Sequence, residues 1–308
     1  MDRPPVIGLA LGGGSARGWS HIGVIRVLER AGIVPQVVCG TSIGALVGAA
    51  YADGQLDQLE GWVRSLTWQA VLRLLDITID GGLIRGDKLF DFFRAQFHDK
   101  DIGALPKRFG AVATELATGR EIWLREGSVM DAVRASITMP GLFTPAKRDG
   151  RLLVDGGLVN PVPVSLCRAM GADIAIAVDL NRDLVERRPR AQASNAEPAV
   201  QDKDPTFLAS MLGKLPHWLA RRPGGATESG AAPSMLDVLA SSLNIMQERI
   251  TSSRLAGDPA DMMIYPRLGD MALMDYHRAA PAIAEGERAT ELMLPALHEI
   301  LGNVQGRK

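Results

Sequence analysis

The first fifty residues alternate short apolar runs with glycine-rich turns, and this order restricts the fold more than any other feature. Residues 6–11 are an apolar run that ends at three consecutive glycines. A helical pattern follows over 19–30, then a second apolar run over 37–39 and a small-residue helix over 43–52. This strand–helix–strand–helix start is typical of a parallel sheet in an α/β protein.

Apolar periodicity and turn residues predict further elements along the chain. Helices are expected over 56–75, 86–97, 129–137, 164–170, 235–255 and 276–301. Strands are expected over 109–116, 121–125, 152–155, 174–180 and 262–265, the first two joined as a hairpin through Thr118-Gly119. We therefore expect one domain over 1–308, with a core of about 6–180 plus 234–302.

Composition excludes several classes of protein. The 34 basic and 35 acidic residues give a net charge of −1, so nothing indicates a nucleic-acid partner. The two cysteines cannot build a disulfide framework or a CxxC metal site, and no cofactor or metal is expected. No apolar run reaches the ~18 residues of a membrane span. We expect a cytoplasmic protein of open oligomeric state.

Residues 181–233 differ in composition from the rest of the chain and are interpreted as a mobile insertion, because they are rich in Arg, Ala, Ser, Pro and Gly. Within them, 205–222 carries apolar residues at helical spacing with mostly basic charges. This composition suits peripheral contact with an anionic bilayer. A lid or core-packing helix is the alternative interpretation.

Gly40-Thr41-Ser42-Ile43-Gly44 is a GxSxG sequence between a predicted strand and helix. Such a turn is sharp and needs the small residues Gly40 and Gly44, and it pushes the serine hydroxyl out at a helix N-terminus. Ser42 is the candidate nucleophile. The alternative is that Ser42 only caps the following helix.

The loop from Gly12 to Gly18 is a candidate anion site, because Gly12, Gly13 and Gly14 allow successive backbone N–H groups to converge. It lacks the Gly-Lys-Ser/Thr ending of a phosphate-binding P-loop, and its glycine spacing does not fit a dinucleotide fingerprint. An oxyanion site or a plain tight turn remain as interpretations.

Asp155-Gly156-Gly157 follows an apolar strand. An ordinary turn is one interpretation, but burial at a strand end would also raise the pKa of Asp155 and make it a better base. Of the late histidines, His217 lies in the insertion and the other two on predicted helices, so a Ser-His-Asp triad is disfavoured. A structural role is expected for His21. Ser42 with Asp155 is therefore the available catalytic pair.

These three motifs, in this order, resemble the patatin-like phospholipases, and particularly the bacterial branch labelled RssA. The resemblance covers about residues 6–180, with a weaker tail over 261–289, and the insertion departs from it. It implies a three-layer α/β/α fold with a mainly parallel central sheet.

The resemblance also implies a Ser–Asp dyad that hydrolyses fatty-acyl esters of lipids or phospholipids. Ser42 would be the nucleophile and Asp155 the base. The oxyanion hole would be formed by Gly12, Gly13 and Gly14, with Gly13 and Gly14 supplying the N–H groups and Gly12 shaping the loop, and Gly156 would be a motif glycine. Arg17 sits where the family often has a basic residue, and it is a candidate contact for a lipid phosphate, with an exposed arginine at the start of a helix as the alternative. A binding or regulatory protein and a general carboxylesterase are the alternatives.

Overall fold

The computed structural model describes residues 3–74, 99–140, 143–183 and 235–306. The helix expected over 86–97 lies outside these residues. So do 184–233 of the expected insertion, including the 205–222 segment for which membrane contact is expected.

Eight strands form a single sheet in the described part of the chain. They are β1 (Ile7–Leu11), β2 (Val37–Thr41), β3 (Arg108–Glu115), β4 (Glu121–Leu124), β5 (Ala146–Arg148), β6 (Arg151–Asp155), β7 (Ile174–Val178) and β8 (Met262–Ile264). Pairing runs in the order β5-β6-β3-β2-β1-β7-β8, and β4 also pairs with β3. Strands β3, β2, β1, β7 and β8 are mutually parallel, which confirms the mainly parallel sheet.

Helices pack on both faces of the sheet. Within the described ranges they are α1 (Ser20–Arg30), α2 (Ile43–Ala52), α3 (Leu56–Ser65), α4 (Trp68–Leu74), α5 (Val129–Ile137), α6 (Val164–Ala169), α7 (Met235–Gly257), α8 (Ala279–Glu291) and α9 (Leu294–Gly306).

Successive strand residues feed two separate hydrophobic clusters, because side chains alternate between the faces of a sheet. Leu9 and Ile176 belong to the cluster that includes α1, α2, α5 and α8. Ala10 and Ala177 belong to the other cluster, which includes α6 and is contacted by the end of α7. The protein is therefore a three-layer α/β/α structure, as expected.

Two expected helices differ in detail from the structure, and one strand was not expected. The helix predicted over 56–75 is interrupted at Leu66, and Thr67 accepts a hydrogen bond from the Ala70 N–H at the start of α4. The terminal helix begins at 279 rather than 276 and divides into α8 and α9, with Pro295 in the first turn of α9, where proline is tolerated. Strand β5 was missed.

The register of β3 explains how the sheet brings two distant motifs together. Val112 pairs with Thr41 of β2, and the next residue, Ala113, pairs with Asp155 of β6. Strand β4 pairs with both of these β3 residues, so it occupies the opposite edge. Strands β2 and β6 therefore meet end to end along one edge of β3, and Ser42 follows directly at the junction.

Candidate active site

The turn between β2 and α2 holds Ser42 in a strained conformation. Ser42 has φ 56° and ψ −126°, a positive φ that non-glycine residues rarely adopt. The flanking glycines have no room for a side chain. A Cβ on Gly40 would lie 2.3 Å from the Gly44 carbonyl oxygen, and one on Gly44 would lie 2.2 Å from the Leu11 carbonyl oxygen. Close backbone packing therefore explains both glycines of the GxSxG motif.

The Ser42 side chain points to Asp155 and not to the helix that follows it. Its Oγ donates a 2.6 Å hydrogen bond to Asp155 Oδ2, and it makes no capping bond to α2. The capping interpretation of Ser42 is thus wrong. The side chains are nearly enclosed, with Ser42 7% and Asp155 2% exposed.

The second oxygen of the Asp155 carboxyl is also fixed. Oδ1 accepts a 2.7 Å hydrogen bond from the Gly157 N–H, and the Asp155 N–H donates to the Thr138 carbonyl oxygen at 2.8 Å. Burial raises the pKa of Asp155 to about 6, although the hydrogen bonds from Ser42 and Gly157 oppose the shift. Near neutral pH the carboxylate is ionised, but it is a stronger base than an exposed aspartate.

Ser136 is a site residue that the sequence analysis missed. Its buried Oγ, on α5, accepts a 2.9 Å hydrogen bond from the Ser42 backbone N–H. This bond fixes the backbone of the strained residue, while its hydroxyl group bonds to Asp155. No motif marks Ser136, because it is one polar residue on the buried face of an amphipathic helix.

The glycine loop between β1 and α1 lies against the serine turn. A Cβ on Gly13 would lie 3.5 Å from Ser42 Cβ, which is ordinary van der Waals contact. The N–H groups of Gly12 and Gly13 donate to the carbonyl oxygens of Val178 and Pro161, both at 3.0 Å. Because both N–H groups are already hydrogen-bonded to the protein, neither is free to hold an oxyanion, contrary to the expectation for this loop. In the described part of the chain, only the Gly14 N–H of the three is without such a bond.

His21 contacts the backbone of the glycine loop. It is fully buried, and its Nε2 lies 2.8 Å from the Gly12 carbonyl oxygen. Because that oxygen can only accept, Nε2 carries the proton. Burial lowers the pKa of His21 to about 4, so the ring is neutral near neutral pH. The structure thus gives His21 the expected structural contacts, and Ser42 Oγ bonds to Asp155.

Arg17 does not take the surface position expected of a phosphate contact. Its side chain is buried, and Nε donates to the Gly14 carbonyl oxygen at 3.1 Å. The other guanidinium nitrogens lie 3.3 Å from the Leu180 carbonyl oxygen and 3.5 Å from Asn244 Oδ1. Burial lowers the pKa of Arg17 to about 10, with the Asp179 carboxylate acting in the other direction. Arg17 is therefore a buried cation that hydrogen-bonds to backbone carbonyl oxygens of Gly14 and Leu180. Its buried position does not agree with the expectation that it contacts a lipid phosphate directly.

Helix α7, which follows the insertion, packs against both candidate motifs. Asn244 Oδ1 lies 3.5 Å from a guanidinium nitrogen of Arg17, which is part of the glycine loop. A Cβ on Gly157 would lie 2.5 Å from Gln247 Nε2, so any other residue at the third position of Asp-Gly-Gly would displace the Gln247 amide from this contact. Gln247 Oε1 accepts from Asn181 Nδ2 at 3.2 Å. Sequence reasoning did not find Gln247, because its role depends on packing between distant segments.

The two cysteines, Cys39 and Cys167, are buried and free. Among the described residues, no three His, Cys, Asp or Glu side chains are arranged to hold a metal ion. None of the helices in the described ranges is long and apolar enough to cross a membrane.

A strained serine between a strand and a helix, on a mainly parallel sheet, is the arrangement found in α/β hydrolytic enzymes with a GxSxG turn. The family model described as patatin-like phospholipase matches residues 9–168, just over half of the chain, and includes both motifs of the site. The chain belongs to the patatin-like phospholipase family.

Relatives agree with this assignment. A Mycobacterium tuberculosis protein described as an uncharacterized NTE family protein is 33% identical over 95% of this chain and 92% of its own length. Human patatin-like phospholipase domain-containing protein 6 is 38% identical over 56% of this chain, which corresponds to 13% of that protein. A Mycobacterium bovis NTE family protein is 39% identical over 58% of this chain and 31% of its own length.

Proposed function

We propose that the protein is a serine acyl hydrolase that cleaves fatty-acyl esters of lipids through Ser42 and Asp155. The observation that supports it most is the 2.6 Å hydrogen bond from Ser42 Oγ to a buried carboxylate at a strained turn. Family membership supports an ester-bearing lipid as the substrate class.

In the first step, Ser42 Oγ attacks the ester carbonyl carbon while its proton passes to Asp155 Oδ2. The carbonyl oxygen gains negative charge in the tetrahedral intermediate. The Gly14 N–H is the candidate donor for that oxygen, and the N-terminus of α2 adds a favourable dipole. One such donor typically contributes about 3–4 kcal/mol. Collapse expels the alcohol, which takes the proton from Asp155 and leaves an acyl-serine.

In the second step, Asp155 accepts a proton from a water molecule that attacks the acyl-serine. The fatty acid leaves, and the proton returns to Ser42 Oγ. The same carboxyl thus acts as base and acid in each half-reaction, and its pKa of about 6 suits both roles near neutral pH. The Gly157 N–H keeps Oδ1 occupied, so Oδ2 faces the serine throughout.

The test is hydrolysis of a short-chain p-nitrophenyl ester by the purified protein and three variants. Ser42→Ala and Asp155→Asn should each lower kcat/KM by at least about 10³-fold, because each removes one half of the dyad. Ser65→Ala is the matched control, since its exposed Oγ bonds only to its own helix at the Trp62 carbonyl oxygen. Unchanged activity in Ser42→Ala would assign the reaction to another nucleophile.

A further inference from the structure

Ser15 follows the candidate oxyanion donor Gly14 in a conformation that serine rarely adopts. Its φ is 52°, in the left-handed region that favours glycine, and its side chain is buried. A non-glycine residue stays in this region only where its surroundings hold it there. The contacts that hold Ser15 therefore also hold the glycine loop.

Two residues from the C-terminal part of the chain hold the Ser15 side chain. Its Oγ lies 2.7 Å from the Leu273 carbonyl oxygen and 2.6 Å from the Tyr276 hydroxyl oxygen. Because a carbonyl oxygen only accepts, the single hydroxyl proton of Ser15 is donated to Leu273, and the Tyr276 hydroxyl donates to Ser15. The three groups form a chain of hydrogen bonds that begins at the phenol.

The Tyr276 hydroxyl keeps its proton near neutral pH. Burial raises the pKa of Tyr276, the hydrogen bond with Ser15 opposes this shift, and the negative charge of Asp155 adds to it. Tyr276 therefore remains a hydrogen-bond donor to Ser15 at every pH near neutrality at which Asp155 is ionised.

The segment 273–276, between β8 and α8, contacts the loop at two further points. The Leu273 carbonyl oxygen also accepts from the Ala16 N–H at 3.2 Å. Trp19 Nε1 donates to the Tyr276 carbonyl oxygen at 3.0 Å, and the two rings pack edge to face with centroids 5.9 Å apart. The Tyr276 ring is thus held independently of its hydroxyl group.

These contacts leave one backbone group of the loop available to a substrate. The Gly13 N–H donates to Pro161, and the Gly14 carbonyl oxygen accepts from the backbone N–H and Nε of Arg17. Within the described residues, the Gly14 N–H has no hydrogen-bond partner. Its orientation depends on how firmly its neighbours Gly13 and Ser15 are held, and a donor stabilises an oxyanion only when it is oriented in advance.

We propose that Tyr276 is a positioning residue of the hydrolytic reaction: its hydroxyl group fixes Ser15, and Ser15 orients the Gly14 N–H toward the oxyanion. The inference rests on the proposed function, because it assigns a role within that reaction. Tyr276 is 261 residues from Ser15 in the sequence, so the fold alone brings it to the loop. Since the oxyanion forms only in the transition state and intermediate, Tyr276 affects kcat and not KM.

The experiment measures kcat and KM for a soluble p-nitrophenyl ester in Tyr276→Phe, Ser15→Ala and the double variant. Tyr276→Phe removes only the hydroxyl group, so kcat should fall about tenfold while KM stays within about twofold of the wild-type value. Ser15→Ala should lower kcat at least as far. The double variant should be no slower than Ser15→Ala alone, because both substitutions remove the same hydrogen bond.

Ser15→Gly separates positioning from a general loss of stability. Glycine adopts a φ of 52° without a side chain to hold it, so Ser15→Gly should keep a higher kcat than Ser15→Ala although both lack the hydroxyl group. Tyr265→Phe is the matched control, because the Tyr265 ring lies 4.7 Å from the Arg182 guanidinium and outside the segment 273–276. It should keep the wild-type kcat and KM.

An unchanged kcat in Tyr276→Phe would overturn the proposal, and so would losses of kcat that multiply in the double variant. A raised KM with the wild-type kcat would overturn it as well, because Tyr276 would then act on the bound ester and not on the oxyanion.

The two proposals fail in different ways. If Ser42→Ala keeps wild-type activity, the proposed function is wrong, and the role of Tyr276 is wrong with it. If Ser42→Ala is inactive and Tyr276→Phe has the wild-type kcat, the proposed function stands and the positioning role is wrong.

Discussion

The glycine loop after β1 and the serine turn after β2 have similar compositions but use their glycines differently. In the serine turn, Gly40 and Gly44 each lie so close to backbone atoms that a Cβ would overlap them. In the glycine loop, Gly12 and Gly14 are also enclosed, with the nearest atoms 2.6 Å and 2.7 Å from a Cβ, but Gly13 has no neighbour closer than 3.5 Å, and that neighbour is Ser42. Close packing therefore explains Gly40, Gly44 and the outer glycines of the loop, whereas Gly13 alone could carry a Cβ, in ordinary contact with the candidate nucleophile.

The largest effect is expected from Gly44→Ala. The new methyl group would lie 2.2 Å from the Leu11 carbonyl oxygen, so the backbone of β1 or α2 must shift. We expect a loss of at least about 3 kcal/mol in the free energy of unfolding, measured by urea denaturation. Gly61→Ala in α3 is the control, because a Cβ there meets nothing within 4 Å. Wild-type stability in Gly44→Ala would mean that the serine turn tolerates a side chain at this position.

Gly13→Ala should separate activity from stability. The methyl group fits without overlap, 3.5 Å from Ser42 Cβ, and we expect it to obstruct the approach of a substrate carbonyl group to Ser42. We expect a melting temperature close to that of the wild type and a fall in kcat/KM of roughly 10²-fold on a soluble ester. If this variant keeps full activity, the space beside Gly13 is not used by the substrate.

The pH dependence of activity should follow the ionisation of the Asp155 carboxyl group. Asp155 must be ionised to accept the serine proton, and burial raises its pKa to about 6. We therefore expect kcat/KM for a soluble ester to fall about tenfold per pH unit below about pH 6. A rate that stays constant down to about pH 4, near the ordinary pKa of an aspartate, would contradict the assignment.

Asp155→Asn should stabilise the protein near neutral pH while removing activity. The raised pKa means that protonated Asp155 adds stability that is fully present below about pH 4 and is lost as the pH rises through about 6. At pH 7 the ionised group therefore costs up to about 3 kcal/mol, which the neutral amide avoids.

Urea denaturation at pH 4 and pH 7 measures this difference. The asparagine variant should be the more stable protein only at the higher pH. Asp149→Asn, at a side chain that is 86% exposed, is the control and should change little at either pH. A destabilised Asp155→Asn at pH 7 would mean that the hydrogen bonds of the carboxylate outweigh its burial.

Most of the fold could be predicted from the sequence, because long apolar patterns and glycine turns mark its central elements. Helix α2 and helix α5 have the predicted bounds. Strand β5 was not predicted because Ala146–Arg148 is three residues long and contains Lys and Arg, with no apolar run. The adjacent Asp149-Gly150, both with positive φ, was the available hairpin signal.

The candidate site was predictable where it is built from motifs and not where it depends on packing. Ser42 and Asp155 were expected as a pair, and the structure brings them into contact. Ser136 and Gln247 were not expected, since each reaches the site from a helix that the sequence marks only by its apolar spacing. The burial of Arg17 also depends on contacts between distant segments, which a linear motif does not contain.

Covalent labelling of the purified protein with a fluorophosphonate, followed by peptide mass spectrometry, tests the assignment of the nucleophile most directly. We predict one adduct on Ser42, absent in Ser42→Ala and formed much more slowly in Asp155→Asn. An adduct on another residue, or no adduct in a preparation that hydrolyses the soluble ester, would contradict the assignment of Ser42 and Asp155 as the catalytic pair.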